Sequence, residues 1–163
     1  MTVQLQGRQM IRALHPADMD DVLELVNTSG MFSLEDIEEI KSRLTGHLEH
    51  HDESVWITYE DQGLEGIAYC IPEPMTNGAW NLLMLLVRED RQGQGHGAAL
   101  VSHVERALAQ AGGRLLLVET SGTEDFENAQ RFYGKCGFAV VARIPDFYDA
   151  GDDKVIFTKA LQS

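Results

Sequence analysis

The residues best suited to chemistry form a glycine-rich segment, from Gln92 to Ala98. Its three glycines let the backbone approach a ligand closely. An apolar strand precedes the segment and a helix begins inside it. Because a helix N-terminus offers unsatisfied N–H groups and partial positive charge, the segment favours a phosphate or pyrophosphate. A plain glycine-rich turn is the alternative, although each glycine would weaken the helix start by roughly 1 kcal/mol.

Two nucleotide-binding motifs are alternative interpretations of this segment. A P-loop is excluded because no Gly-Lys-Ser/Thr follows the glycines. The dinucleotide pattern Gly-x-Gly-x-x-Gly/Ala is satisfied by Gly93, Gly95 and Ala98, and Glu119 lies near the position of a ribose-binding acid. However, the charged stretch 88–92 separates the strand from the glycines, and the remaining chain is too short for further parallel β-α-β units.

The charge of the chain restricts its partners. Thirteen Lys and Arg against 26 Asp and Glu give a formal net charge of −13. Nucleic acid is therefore not expected as a partner, because binding phosphates along a strand needs a basic surface. The acidic balance would favour the approach of a cationic amine, although solubility is its commoner explanation.

Several features predict a soluble, cytoplasmic protein with no membrane partner. The first ten residues lack the apolar region of a signal peptide, and the longest apolar run, Leu82 to Val87, falls far short of the ~20 residues of a membrane span. Cys70 and Cys136 form no close motif and are expected to be reduced and not catalytic. No metal is predicted, since the three closely spaced histidines fit a surface helix face better than a ligand set. These histidines are His47, His50 and His51.

Apolar periodicity predicts the elements that carry these residues. Their order is strand, two helices, three strands, helix, strand, helix and two strands. A capping box, Ser33 with Asp36, starts the second helix. The pattern indicates an α/β fold with a mixed sheet and helices on both faces. We expect one domain over residues 1–163, with its core at about 9–161.

Two motifs resemble the GNAT superfamily of N-acetyltransferases. Gln92-x-x-Gly95-x-Gly97 is similar to the family's cofactor loop, Gln/Arg-x-x-Gly-x-Gly/Ala, and the preceding strand ends in a matching Leu-x-Val. Downstream, residues 129–138 match the pattern Ala-x-x-Phe-Tyr-x-x-x-Gly-Phe in full. The resemblance implies a single-domain, mostly antiparallel twisted sheet of about seven strands, splayed in the middle. It also implies transfer of an acetyl group from acetyl-CoA to a primary amine.

The resemblance further implies which residues hold the cofactor. Backbone N–H groups of the glycine segment would bind the pyrophosphate, and the strand end would lie along the pantetheine arm. Tyr133 is predicted as the general acid that protonates the thiolate, with a core tyrosine as the alternative. The predicted cofactor residues are Leu85, Leu86, Val87, Gln92, Gly93, Gln94, Gly95, His96, Gly97, Ala98, Asn128 and Tyr133.

The general base and the acceptor site are less defined. Many relatives carry a Glu on the strand before the glycine loop, but residues 80–85 include no acid. Glu119 is the predicted substitute, as a buried carboxylate acting through water, and a strand-end cap is the equal alternative. Glu73 is a further candidate. A turn-rich stretch, 145–154, is expected to be either an acceptor loop or a solvated hairpin. Its candidate lining residues are Phe147 and Tyr148 with Asp146 or Asp149, and Phe32 is placed on the opposite wall.

Two functions remain open at this point. One is an acetyl-CoA-dependent N-acetyltransferase acting on a small-molecule amine or a peptide N-terminus. The other is a non-catalytic acyl-CoA-binding or sensor domain of the same fold. The sequence is compatible with a homodimer.

Overall fold

A computed structural model describes residues 9–162. The described chain forms two compact units, each built from discontinuous segments. The first unit comprises residues up to Tyr69 together with Met84–His103, and the second comprises Cys70–Leu83 together with residues from Val104 onward. The expectation of one domain over the whole chain stays a prediction.

Seven strands and four helices occur in the described chain, in the predicted order. The strands are β1 Met10–Ala13, β2 Val55–Glu60, β3 Leu64–Pro72, β4 Ala79–Val87, β5 Leu115–Ser121, β6 Ala139–Asp149 and β7 Asp152–Ala160. The helices are α1 Met19–Thr28, α2 Leu34–His50, α3 His96–Gln110 and α4 Glu127–Lys135. The strands form one sheet in the order β1-β2-β3-β4-β5-β7-β6, in which β4 and β5 are parallel and the pairs β1–β2, β5–β7 and β6–β7 are antiparallel. The predicted mixed, mostly antiparallel sheet is confirmed.

Local sequence signals set the element boundaries of the first unit. Pro16 opens a short 3-10 turn before α1, as its fixed φ favours. The Ser33–Asp36 capping box forms at the start of α2, so this prediction is confirmed. Gln62 and Gly63, both at positive φ, turn the chain from β2 into β3. The buried residues of α1 are Val22, Leu25 and Val26. The core of this unit includes Val22, Leu25, Val26, Leu44, Trp56, Ile57, Ile67, Leu86 and Leu100.

An ion pair fastens the start of the first unit. The guanidinium of Arg12 contacts Asp18 at 2.7 Å and Glu60 at 3.1 Å, so it joins β1 to the turn before α1 and to β2. Asp18 is buried, and its Oδ2 also accepts from the backbone N–H of His15. The guanidinium lowers the pKa of the Asp18 carboxyl mainly through the hydrogen bonds it donates.

The second unit contains a short parallel ladder. β4 pairs with β5 over three residue pairs, from Ala79↔Leu115 to Asn81↔Leu117. This ladder therefore does not reach Leu85–Val87, which matches the implied break in the middle of the sheet. β4 is less buried than its apolar sequence predicts, since Leu83 is 43% exposed. Core residues of this unit are Cys70, Leu82, Val104, Leu108, Leu116, Val118, Tyr133, Phe138, Val155 and Phe157.

The end of the chain forms a long hairpin. β6 runs through Asp149, and the tight turn at 150–151 returns the chain into β7. The stretch 145–154 therefore folds as a hairpin, because strand pairing continues past Ile144 after a register shift. Its part in an acceptor site stays a prediction. A second shift lies between Val140 and Ala142, and every residue of β6 is exposed at this edge of the sheet.

Candidate functional site

The glycine segment follows β4 after a short 3-10 turn at Glu89–Arg91. Gly93 and Gly95 have φ values of +77° and +86°, which L side chains rarely adopt. A Cβ added at either position would meet no atom within 4 Å. These glycines are therefore needed for the backbone conformation, and the space above them is open to a ligand.

The start of α3 supplies hydrogen-bond donors beside this open space. Helical bonding begins where the N–H of Ala99 donates to the carbonyl of Gly95 at 3.0 Å. The N–H groups of the preceding first-turn residues have no acceptor further back in the helix. Gln92 fixes the other end of the segment, since its side-chain Nε2 donates to the carbonyl of Val87 at 3.0 Å. The segment is thus tied to the end of β4 while its N–H groups face no helical partner.

A cleft of about 860 Å³ lies beside the segment within the first unit. Its lining brings Gln92 together with Leu85–Val87 at the end of β4. The remaining walls come from α1, the β2–β3 hairpin and the 3-10 turn. The lining residues are Asp21, Glu24, Leu25, Thr28, Ser29, Met31, Gly63, Leu64, Leu85, Leu86, Val87, Arg88, Glu89, Asp90 and Gln92.

The charges around this cleft are mainly negative. Asp21 and Glu24 face it from α1, and Glu89 and Asp90 face it from the 3-10 turn. Arg88 is the one cation of the lining, and it is partly neutralised by Asp90 at 3.2 Å. An anion in this cleft would therefore depend on backbone N–H groups, whereas a bound ammonium group would be attracted by the acidic wall.

Tyr133 lies in α4 of the second unit and is 9% exposed. Its ring packs at 5.7 Å from Phe138 and 5.9 Å from Phe157, measured between centroids. Burial raises the pKa of the phenol well above its usual range, so the group keeps its proton at neutral pH. This protonation suits an acid, and the packing equally suits a core tyrosine. The role of Tyr133 stays a prediction.

Glu119 lies on β5 and is paired with a lysine that the sequence analysis missed. The ammonium of Lys154 is 3.1 Å from its Oε2, and the Glu119 side chain is 28% exposed. The prediction that the Glu119 carboxylate is buried is therefore wrong, because the side chain is partly exposed. Lys154 pairs with it at this position. Glu119 is in register with Ile156, which places Lys154 two residues away on the same face of β7. The pairing could be inferred from this register but not from the sequence alone.

Lys154 also contacts the aromatic residues that are predicted to line the acceptor site. Its Nζ lies 3.7 Å from the ring centroid of Phe147 and 5.8 Å from that of Tyr148. A cation at this distance is attracted by the ring faces. One cluster in the second unit therefore contains Phe147, Tyr148, Glu119 and Lys154. The positive charge in this cluster comes from the side chain of Lys154.

The remaining candidates are more dispersed. Glu73 follows β3 and its Oε1 accepts from Asn81 at 3.0 Å, so its carboxylate is engaged within the second unit. Asn128 is exposed in the first turn of α4. Phe32 lies between α1 and α2 and is not among the residues that line the cleft.

Histidine and cysteine chemistry is constrained by the surroundings of these side chains. Burial raises the pKa of the Cys70 thiol to about 12, which keeps it protonated and unreactive. His47 is engaged with Asp52 at 2.8 Å and Ser54 at 2.9 Å.

Within residues 9–162, no group of three or more His, Cys, Asp or Glu side chains is placed to hold a metal ion. None of the helices in that range is long and apolar enough to cross a membrane.

Comparisons with known proteins agree on one family. Residues 51–140 match the family model described as an Acetyltransferase (GNAT) domain. A crystal structure from Desulfovibrio desulfuricans, assigned to the GNAT family of acetyltransferases, matches with a TM-score of 0.90 at 32% identity, over 95% of this chain and 100% of that chain. No curated protein sequence matches closely enough to carry a comparison.

More distant structures share the fold. An aminoglycoside 6'-N-acetyltransferase complexed with coenzyme A has a TM-score of 0.78 at 20% identity, covering 94% of this chain and 98% of its own. The ribosomal-protein-S18-alanine N-acetyltransferase of Escherichia coli has a TM-score of 0.77 at 17% identity, covering 96% of each chain. The chain belongs to the GNAT family of acetyltransferases.

Proposed function

We propose that this protein transfers an acetyl group from acetyl-CoA to a primary amine. The observation that carries the proposal is the open space above Gly93 and Gly95, next to a cleft lined by Leu85, Leu86 and Val87. Coenzyme A needs a site for its pyrophosphate and an extended channel for its pantetheine arm. The glycine segment and the end of β4 offer these two features side by side.

The residues fit coenzyme A through backbone groups more than through side-chain charge. The first-turn N–H groups of α3 would hold the pyrophosphate, since the segment contains no lysine. The end of β4 would bind the amides of the pantetheine arm as an added strand. The acidic residues Glu89 and Asp90 would oppose a nearby anion, so the pyrophosphate is expected to lie on the α3 side of the segment.

The transfer needs three proton movements besides the carbon chemistry. The acceptor ammonium loses one proton before its nitrogen forms a bond to the acetyl carbon and the carbon–sulfur bond breaks. The nitrogen then loses a second proton as the neutral amide forms, and the thiolate gains one. Tyr133 is proposed to give its phenolic proton to the thiolate. Glu119 is proposed to receive the amine proton through water, in which case the Lys154 ammonium must separate from it during the reaction.

The acceptor is proposed to be cationic before reaction. The acidic wall of the cleft and the net charge of −13 support an ammonium-bearing molecule. Known relatives by fold include enzymes named for aminoglycosides and for a ribosomal-protein alanine, so the fold accommodates small molecules and peptide N-termini alike.

Two measurements test the proposal together. Calorimetric titration with coenzyme A measures donor binding, and release of free thiol from acetyl-CoA is followed with a panel of aliphatic amines, amino acids, aminoglycosides and short peptides. We expect binding and an amine-dependent release of thiol. Absence of coenzyme A binding would contradict the site assignment.

A second function is favoured by the Lys154–Glu119 ion pair, which neutralises the proposed base. A domain that binds acyl-CoA without turnover could keep such a pair permanently. Tight coenzyme A binding with no thiol release for any amine in the panel would support this non-catalytic sensor function instead.

A further inference from the structure

Glu65 is a buried carboxylate beneath the turn that leads into the glycine segment. It lies on β3 and is 1% exposed. Its Oε1 is 3.2 Å from a guanidinium nitrogen of Arg91, and its Oε2 has no hydrogen-bond partner among the described residues. Because a buried carboxylate is costly without a partner, the contact with Arg91 offsets part of the cost of burying Glu65. Arg91 is also the residue directly before Gln92.

The backbone of Glu65 supplies a second connection to the same turn. Its carbonyl accepts from the N–H of Arg88 at 2.8 Å, and the carbonyl of Arg88 accepts from the N–H of Arg91 at 2.9 Å. Glu65 therefore contacts both ends of the turn, through its main chain at Arg88 and through its side chain at Arg91.

His96, inside the glycine segment, is packed against the same part of the sheet. It is 6% exposed, and its ring centroid lies 4.4 Å from that of Tyr59 on β2. Its Nδ1 is buried without a hydrogen-bond partner among the described residues. The negative charge of Glu65 acts on this tyrosine too, because it adds to burial and to Asp61 in raising the pKa of Tyr59. Arg91 before the glycines and His96 between Gly95 and Gly97 thus both fold back onto buried groups of the first unit.

We propose that Glu65 is a positioning residue for the pyrophosphate-binding segment, acting through Arg91. The inference rests on the proposed function, in which this segment binds coenzyme A. The charge of Glu65 by itself would repel a pyrophosphate. Its contribution is therefore geometric: it holds the turn so that the backbone from Gly93 onward keeps its positive-φ conformation and its N–H groups stay directed to one point.

The variants Glu65→Gln, Arg91→Gln and the double variant test this inference. Coenzyme A affinity is measured by calorimetry, and kcat is measured at saturating acetyl-CoA. We expect each single variant to raise the Kd about tenfold, and the double variant to raise it no further, because the two residues act as one unit. We expect kcat to change little, since no proposed catalytic group is altered.

Asp18→Asn is the matched control. It removes another buried carboxylate that is paired with an arginine in the same unit, and Asp18 does not line the cleft. We expect Asp18→Asn to lower the unfolding temperature and to leave the Kd for coenzyme A unchanged. An equal rise in Kd for this control would overturn the inference, since it would show general destabilisation.

Further outcomes are also decisive. An unchanged or lower Kd in Glu65→Gln would overturn the inference, and a lower value would mean that charge repulsion outweighs positioning. Additive effects in the double variant would also overturn it. If Glu65→Gln does not fold, Arg91→Lys keeps the charge and loses the fork geometry, and the same tenfold rise is expected from it.

One measurement separates this inference from the proposed function. Hydrogen exchange of residues 92–98 in the protein without coenzyme A is expected to be faster in Glu65→Gln than in Asp18→Asn or the wild type. Failure of the wild type to bind coenzyme A would overturn the proposed function alone. Equal exchange in all three proteins would overturn the positioning role alone.

Discussion

The ammonium of Lys154 lies 3.1 Å from the carboxylate of Glu119, across neighbouring strands β7 and β5. Lys154 is 9% exposed and is also covered by the ring of Phe147. The contact therefore removes from solvent a charge that would otherwise stay hydrated. Lys154 therefore contacts both the carboxylate that is proposed as the base and the aromatic rings that are proposed to line the acceptor site.

The first prediction separates the two partners of this pair. Glu119→Gln is expected to lower kcat about 100-fold, because loss of a general base typically costs that much. Lys154→Gln leaves the carboxylate in place and is expected to retain most of the turnover. Steady-state kinetics with the best amine from the panel gives both values. If the two variants lose turnover equally, the pair is structural and Glu119 is not the base.

A second prediction concerns Tyr133. Tyr133→Phe is expected to lower kcat about 100-fold while the Kd for coenzyme A changes little, because the phenol donates its proton only during transfer. Rapid-quench or steady-state turnover is compared with calorimetric binding. Tyr69→Phe, which also removes a buried phenol but at a residue that does not line the cleft, is the control and should keep full turnover. Unchanged turnover in Tyr133→Phe would show that the buried ring only packs in the core.

A third prediction concerns the backbone conformation of the glycine segment. Gly95→Val is expected to abolish coenzyme A binding, since the side chain strains a φ of +86° and enters the open space. Gly151→Val is the matched control, because Gly151 has a φ of +79° and equally open surroundings in the β6–β7 turn. Both variants should lose comparable stability in thermal unfolding. Calorimetry should show normal binding for Gly151→Val alone, and binding by Gly95→Val would remove the segment from the cofactor site.

A fourth prediction follows from the lowered pKa of Asp18. A carboxylate with a depressed folded-state pKa stabilises the fold above its unfolded pKa of about 3.9, and this stabilisation disappears as pH falls through the folded value. Asp18→Asn should therefore cost about 1–3 kcal/mol in the free energy of unfolding at pH 7. The difference from the wild type should shrink steadily below a pH of about 4.

Urea unfolding at several pH values measures this difference. Asp20→Asn, at an exposed position at the start of α1, serves as the control and should cost little at any pH. A constant gap between Asp18→Asn and the wild type from pH 7 to pH 3 would show that the ionised carboxylate contributes nothing.

Much of the fold could be predicted from local patterns. The order of strands and helices and the Ser33 cap depend on periodicity and on neighbouring residues, both of which are visible in the sequence. The extension of β6 to Asp149 was missed because Pro145, Asp146 and Gly151 are turn residues by type. Here the pairing with β7, after a register shift, decides the conformation instead.

The candidate site, like the fold, could be predicted from the sequence only in part. The glycine segment and the end of β4 are contiguous in sequence, so their joint position beside one cleft could be anticipated. The Lys154–Glu119 and Arg91–Glu65 pairs join residues far apart in the chain. Such contacts depend on strand register and on burial, which composition and spacing do not determine.

The exposed strand β6 ends the sheet with a free row of backbone groups. Exposed apolar side chains along it, including Val140, Val141 and Ile144, would make a regular strand here a template for pairing with other chains. Its two register shifts and Pro145 interrupt the regular repeat that such a template needs. The irregular hairpin therefore disfavours the regular edge-to-edge pairing on which fibril growth depends.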